Sequence, residues 1–178
     1  MNNLISKKLS YIDGDLIKLA KEGLFDVIVH GCNCHSVMGA GIAPQMAQAF
    51  GCDRFGMEMW GSDINKLGNI DYQTVVLGEH RIWSLNDLKN NRNEPELTVV
   101  NAYTQFNYGR NHPDGDAHPL SYEALTLCMK KINMVFCEKH IGMPKIGSGL
   151  AGGDWDRIEH IIGVELRDCQ VTIVNYRP

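Results

Sequence analysis

Three side chains in this 178-residue chain have the type and setting to carry or hold a proton or a hydroxyl: Asn33, His35 and Asp154. An imidazole is the usual proton carrier near neutral pH. His35 stands just beyond Asn33 in the same expected loop, where the competing reading is a merely solvated histidine. Asn33 has no proton to exchange in that range, so it either positions a ligand hydroxyl or uses its amide on the local turn. Asp154 is the main carboxylate beside a glycine-rich segment, and helix capping already accounts for it. Cys32, Cys34, His30 and His35 look superficially like metal ligands, yet Cys-x-Cys-His lacks the spaced second pair of a tetrahedral zinc site. With no Cys-x-x-Cys either, packed reduced thiols and a buried His30 are expected. His112, Asp114, Asp116 and His118 could hold a divalent cation, but their Pro and Gly neighbours fit a plain surface loop better. No metal and no cofactor is expected.

The elements that must position these side chains centre on the stretch from Phe25 to Gly51. Val27-Ile28-Val29 is a β-branched run suited to a buried strand. It opens into a loop with Gly39 and Gly41, and Ile42, Ala43, Met46, Ala47 and Phe50 then recur at helical spacing to a stop at Gly51. Pro44 is acceptable in a first turn. Strand, glycine loop and helix N-terminus together favour an anion such as a phosphate. A second such place runs from Ile146 to Gly153, with four glycines, more than a simple turn requires.

In chain order, Leu9 to Ile12 reads as a strand, and Asp15 as the N-cap of a helix that ends at Gly23. Cys52 to Ile70 reads as irregular or partly helical, and Gln73–Leu77 with Arg81–Leu85 as a hairpin about residues 78 to 80. Lys89 to Glu96 is a polar loop, and Leu97 to Tyr103 a buried strand leading through Thr104 and Gln105 into a loop that reaches His118. Ser121 to His140 carries a helical apolar stripe, Ile141 to Lys145 is a strand, Asp154 caps a helix, and Val171 to Tyr176 closes the sheet. Strands alternating with helices predict an α/β fold: a three-layer α/β/α sandwich with a central mixed, mostly parallel sheet, in one domain over residues 1–178. Ligands of such sheets sit outside the carboxyl ends of the strands, where the loops at 31–41, 104–118 and 146–153 gather.

A net charge of −4 and a pI near 5.9 argue against a protein that grips nucleic-acid phosphates. No apolar run is long enough for a bilayer and no signal peptide is evident, so a cytoplasmic monomer without membrane contact is expected.

Neither familiar phosphate loop fits. Pro44 stands where a dinucleotide fingerprint would need its third glycine, and no Gly-Lys-Ser/Thr is present. What the chain resembles is the macrodomain family. Asn33, Gly39, Gly41, Ile42 and Ala43 match its first ligand loop, Pro144 to Leu150 (PKIGSGL) its second phosphate loop, and Gly14-Asp15-Leu16 its adenine-side motif. The resemblance implies a site for ADP-ribose derivatives. Asp15 and Leu16 would take the adenine end, and Ile146, Gly147, Ser148, Gly149, Leu150 and Ala151 the diphosphate. Asn33 with Val37, Met38, Gly39, Ala40, Gly41 and Ile42 would take the distal ribose, and Thr104 and Gln105 would line its pocket. The Asn-Cys loop and the Gly149-to-Trp155 spacing look most like the phage/yeast-like branch that removes phosphate from ADP-ribose 1″-phosphate. Some relatives that release ADP-ribose from acidic side chains have an Asp after Gly-Leu, where this chain has Ala151. ADP-ribosyl hydrolysis of modified proteins is therefore the second expectation, and a non-catalytic ADP-ribose reader the third.

Overall fold

The structure, a computed structural model, describes residues 9–55, 62–77, 95–108 and 118–177. Among these residues six strands form one sheet: β1 Leu9–Gly14, β2 Val27–Asn33, β3 Ile70–Val76, β4 Glu96–Gln105, β5 His140–Met143 and β6 Gln170–Tyr176. Their order is β1-β6-β5-β2-β4-β3; all neighbours run parallel except β3, which pairs antiparallel with β4. Among the described residues four α-helices flank them: α1 Leu16–Lys21, α2 Ala43–Phe50, α3 Tyr122–Val135 and α4 Trp155–Glu165.

Strand alternation explains the layers. On β2, Val27 and Val29 face a core shared with Leu125, Cys128, Met129 and Ile132 of α3 and Ile158 and Ile162 of α4. Ile28 faces the other way, onto Leu16 and Ala20 of α1 and Met46 of α2. With apolar residues on both faces, the central strands read as nearly continuous hydrophobic runs, and the expected three-layer sandwich with a mixed, mostly parallel sheet is what forms.

Several boundaries differ from expectation. The helix predicted over 121–140 stops at Val135, because Glu138 adopts a left-handed φ of 65° and its amide turns to the Asp168 carbonyl. That turn frees His140 to begin β5. The same strand ends at Met143 rather than Lys145, since Pro144 has no N–H for the ladder. β2 runs on through Gly31 and Cys32, so Asn33 ends a strand instead of sitting within a loop. β4 likewise continues through Thr104 and Gln105. Within 52–70, single 3-10 turns form at Cys52–Arg54 and Asp63–Lys66. The second arm of the predicted hairpin, 81–85, lies outside the described residues; its first arm belongs to β3, which pairs with β4 directly. No helix among the described residues is long and apolar enough to cross a membrane.

Candidate functional site

The carboxyl ends of β1, β5, β2 and β4 fall on one rim of the sheet, in that spatial order, with β6 between β1 and β5. Asp15 therefore stands at one end of the rim, the 144–153 loop in the middle, and the loop after Asn33 beside it. From β1 to β2 is three strand spacings, roughly 14 Å. A ligand touching all of these places must be elongated.

At the β1 end, Asp15 caps α1. Its Oδ1 accepts from the amides of Ile17 at 2.8 Å and Lys18 at 3.1 Å, while Oδ2 has no bond among the described residues. Capping is thus established, and one carboxylate oxygen is left over. Leu16 turns its side chain into the core, so only its backbone is presented to the rim.

In the middle, Ile146 is buried and anchors the glycine loop through its side chain. The sheet makes room for it with Gly31: a Cβ there would come within 3.1 Å of Ile146 Cγ1 and 3.2 Å of the buried Thr104 hydroxyl. Thr104 consequently faces inward against Gly31, and its carbonyl takes the Ser121 amide. Gly147 has a φ of 74°, a left-handed conformation that a side chain would strain. The turn closes through Ser148 N–H to the Lys145 carbonyl at 3.3 Å, Gly152 N–H to Gly149 at 3.0 Å and Gly153 N–H to Gly147 at 2.9 Å. The Ser148 hydroxyl is spent on the Lys145 carbonyl. The amides of Gly147, Gly149, Leu150 and Ala151 make no hydrogen bond among the described residues. Leu150 is 76% exposed beside them. Asp154 caps α4 by accepting from the Asp156 amide at 3.0 Å, and its own N–H donates to the Tyr122 hydroxyl. Its carboxylate is therefore a cap at the far end of this loop.

The loop after β2 is held from within and from outside. Asn33 is 7% exposed, and its amide clasps one residue twice: Nδ2 donates to the Val37 carbonyl at 2.7 Å and Oδ1 accepts from the Val37 amide at 3.1 Å. Cys34 donates its amide to the carbonyls of Gln105 and Phe106, tying the loop to β4. Gln105 in turn donates from Nε2 to the Asn107 carbonyl. The amides of Met38, Gly39, Ala40, Gly41 and Ile42 are unbonded among the described residues, and Ile42 begins α2 with no side-chain cap. This helix start follows β2, and the unbonded amides of Gly147 and Gly149 to Ala151 follow β5, its neighbour in the sheet. Both offer N–H groups and partial positive charge to an anion.

His35 is fixed on both ring nitrogens. Nδ1 lies 2.7 Å from Asp63 Oδ2 and Nε2 lies 3.0 Å from Asn107 Oδ1. Phe106 packs edge-on at 4.9 Å between ring centroids. Asp63 also accepts from the Lys66 ammonium at 3.2 Å, and Lys66, only 4% exposed, donates to the Cys34 carbonyl at 2.9 Å. The bonds from His35, then Lys66, hold the Asp63 carboxyl below the usual carboxylate range. Asp63, Lys66 and Asn107 were not found from the sequence. The available signal was Asp63-x-x-Lys66, a helical-turn ion pair within a stretch that has no period.

Behind the loop, buried His30 bonds Asn101 Oδ1 at 2.7 Å, and burial lowers its pKa to about 4. Asn101 Nδ2 donates to Asp71, which also accepts from the Tyr103 hydroxyl at 2.5 Å. Burial raises the thiol pKa of Cys34 to about 11 and of Cys52 to about 12, and pushes Cys32 well above its ordinary value, so these are packed thiols rather than nucleophiles. Among the described residues no group of three or more His, Cys, Asp or Glu side chains is arranged for a metal ion. His112, Asp114 and Asp116 lie outside the described residues; His118 is exposed and rests against Gly152.

No model of a known protein family matches the chain. A phage T4 protein described as an uncharacterized 17.5 kDa protein in the tk-vs intergenic region is 32% identical over 178 residues, spanning 96% of this chain and 97% of that one. Among solved structures, the macrodomain of Thermus aquaticus DarG superposes with a TM-score of 0.57 at 19% identity, covering 96% of this chain and 98% of its own. A Trypanosoma brucei macrodomain in complex with ADP-ribose gives 0.56 at 12% identity, covering 98% and 66%.

Proposed function

This chain belongs to the family of the phage T4 17.5 kDa protein and has the macrodomain fold, and on that footing we propose that its rim binds ADP-ribose and that the protein is an ADP-ribose 1″-phosphate phosphatase. Two adjacent sets of amides that are unbonded among the described residues, Gly147 with Gly149 to Ala151 and Met38 to Ile42, carry the proposal. They offer an anion cradle of backbone N–H groups, suited to a diphosphate. The Oδ2 of Asp15, unbonded among the described residues and two to three strand spacings away, accepts from the adenine amino group. Met38 to Ile42 surround the distal ribose and its 1″-phosphate. Asn33 acts through the loop: its double bond pattern to Val37 sets the path of the amides that follow.

In the reaction a water attacks phosphorus and the bond from phosphorus to the 1″-oxygen breaks. The His35 imidazole gives its Nε2 proton to the leaving oxygen, and the proton released by the water restores it. His35 reaches the substrate by exchanging its bond to Asn107 for one to that oxygen. Asp154, occupied as a cap, serves the second loop's shape.

A non-catalytic reader of ADP-ribose, or of proteins carrying it, is the second reading, favoured by the fact that Asn33 and His35 already have protein partners for their polar atoms. Ala151, where some ADP-ribosyl hydrolases have Asp, weighs against removal of ADP-ribose from proteins. Three measurements separate these functions: calorimetry with ADP-ribose, phosphate release from ADP-ribose 1″-phosphate, and ADP-ribose release from a modified protein. Binding with phosphate release is expected. Binding without either turnover makes the protein a reader, and no binding of ADP-ribose removes the whole proposal.

A further inference from the structure

We propose that Asp63 is the positioning carboxylate of His35, fixing the ring so that Nε2 is its working nitrogen; the catalytic part rests on the phosphatase reading above. The geometry assigns the proton. A carboxylate only accepts, so the 2.7 Å contact from Nδ1 to Asp63 Oδ2 requires a proton on Nδ1. The exchangeable position is then Nε2. Asn107 suits it in either state: its Oδ1, at 3.0 Å, accepts from a protonated Nε2, and the same amide rotated by half a turn donates to a bare one. The ring can therefore gain or lose a proton without moving.

Asp63 is itself immobilised by a different atom. Its Oδ1 takes the Lys66 ammonium at 3.2 Å while Oδ2 takes His35, so the carboxylate is held at both oxygens. Lys66 is buried and donates also to the Cys34 carbonyl at 2.9 Å and the Ser36 hydroxyl at 3.4 Å, the two residues flanking His35. Ser36 sits at a φ of 57°, unusual for a residue with a side chain, and the Asn33 carbonyl and Lys66 hold it there. A closed ring of contacts thus runs from Cys34 through Lys66 and Asp63 to His35. A loop that needed only anchoring would be served by Lys66 on the Cys34 carbonyl. The added carboxylate on Nδ1 determines which nitrogen carries the proton, the arrangement by which a base or acid is oriented by a third group.

The test is Asp63→Asn, which keeps size and leaves an oxygen for Lys66. Turnover of ADP-ribose 1″-phosphate should fall about 10–100-fold in kcat, with KM held within about twofold. In ¹⁵N spectra of the labelled imidazole, wild-type His35 should show the Nδ1–H form when neutral, and Asp63→Asn should lose it. Asp63→Glu should recover part of both. An unchanged kcat and an unchanged tautomer in Asp63→Asn overturn the proposal. So does a loss of kcat that merely tracks a loss of melting temperature and ADP-ribose affinity, since that is what a structural anchor would give. If the wild-type protein releases no phosphate but the tautomer change is seen, the phosphatase reaction falls while the hold of Asp63 on the ring stands.

Discussion

Replacing Asp15 by Asn separates the helix cap from the proposed adenine contact of that side chain. The cap uses one oxygen, Oδ1, for the Ile17 and Lys18 amides, and Asn caps a helix about as well as Asp does. The other oxygen becomes an amide nitrogen. Folding stability should change by less than about 1 kcal/mol, the value of one negative charge at an exposed helix N-terminus, or roughly 2–4 °C in melting temperature for a chain of this size. Recognition of adenine should change much more. A site whose acceptor is replaced by a donor loses a hydrogen bond and gains a donor facing a donor, about 1–3 kcal/mol, which is roughly 5–150-fold in affinity. Calorimetry with two ligands reads this directly: ADP-ribose, and its hypoxanthine counterpart, which carries a carbonyl where adenine carries its amino group. Wild type should prefer ADP-ribose, and Asp15→Asn should narrow or reverse that preference. If Asp15→Asn binds both ligands as wild type does, Oδ2 does not meet the base and Asp15 is a cap alone.

Two further outcomes follow from the rim and the core behind it. Gly147→Ala places a side chain at a φ of 74° with its Cβ 2.9 Å from Leu120, so a loss of about 1–2 kcal/mol in thermal unfolding and a fall in ADP-ribose affinity are expected; unchanged values for both would mean that the loop does not depend on its left-handed turn. His30 is buried neutral with a pKa lowered from 6.5 to about 4, so the unfolded chain takes up its proton first as the pH falls. Its contribution to stability is complete above about 6.5 and is lost toward about 4, on the order of 3 kcal/mol in denaturant titrations, and His30→Gln should flatten that slope. An identical slope in the variant would assign the acid sensitivity elsewhere.

The alternation of strand and helix, and hence the layered fold and the rim, was legible because each element buries a face and the burial writes a period into the sequence. Asp15 and Asp154 were legible as caps for the same local reason: a short acidic side chain just before an apolar helical run has amides within reach. Ends were less legible. The stripe of α3 carries on through Phe136, yet the chain turns at Glu138 to meet β6, and only the pairing of β5 with β6 decides that. The support of His35 left no trace in the sequence beyond the Asp63-x-x-Lys66 spacing. Asp63 and Asn107 stand 28 and 72 residues from it, and contacts of that range leave no local pattern. Lys66 shows the same limit more sharply, since a lone lysine in an irregular stretch reads as surface, and its burial depends on the Cys34 carbonyl and Ser36 hydroxyl that the fold brings to it.

The pairing of β1 with β6 sets an order of assembly. β1 lies at an edge of the sheet and its ladder partners are Val171 to Tyr176, so its first residue finds its mate 162 positions later. Loops after β5 and β2 belong to strands that pair with each other and both precede β6 in the chain. During synthesis the loops after β5 and β2 can therefore gain their framework while Asp15, which hangs on β1, has no paired strand beside it until β6 has been made and docked. On the proposed assignment of the rim, a nascent chain that has emerged only through α4 is expected to grip a bare diphosphate about as well as a complete nucleotide. On that assignment, selectivity for the base arrives with β6.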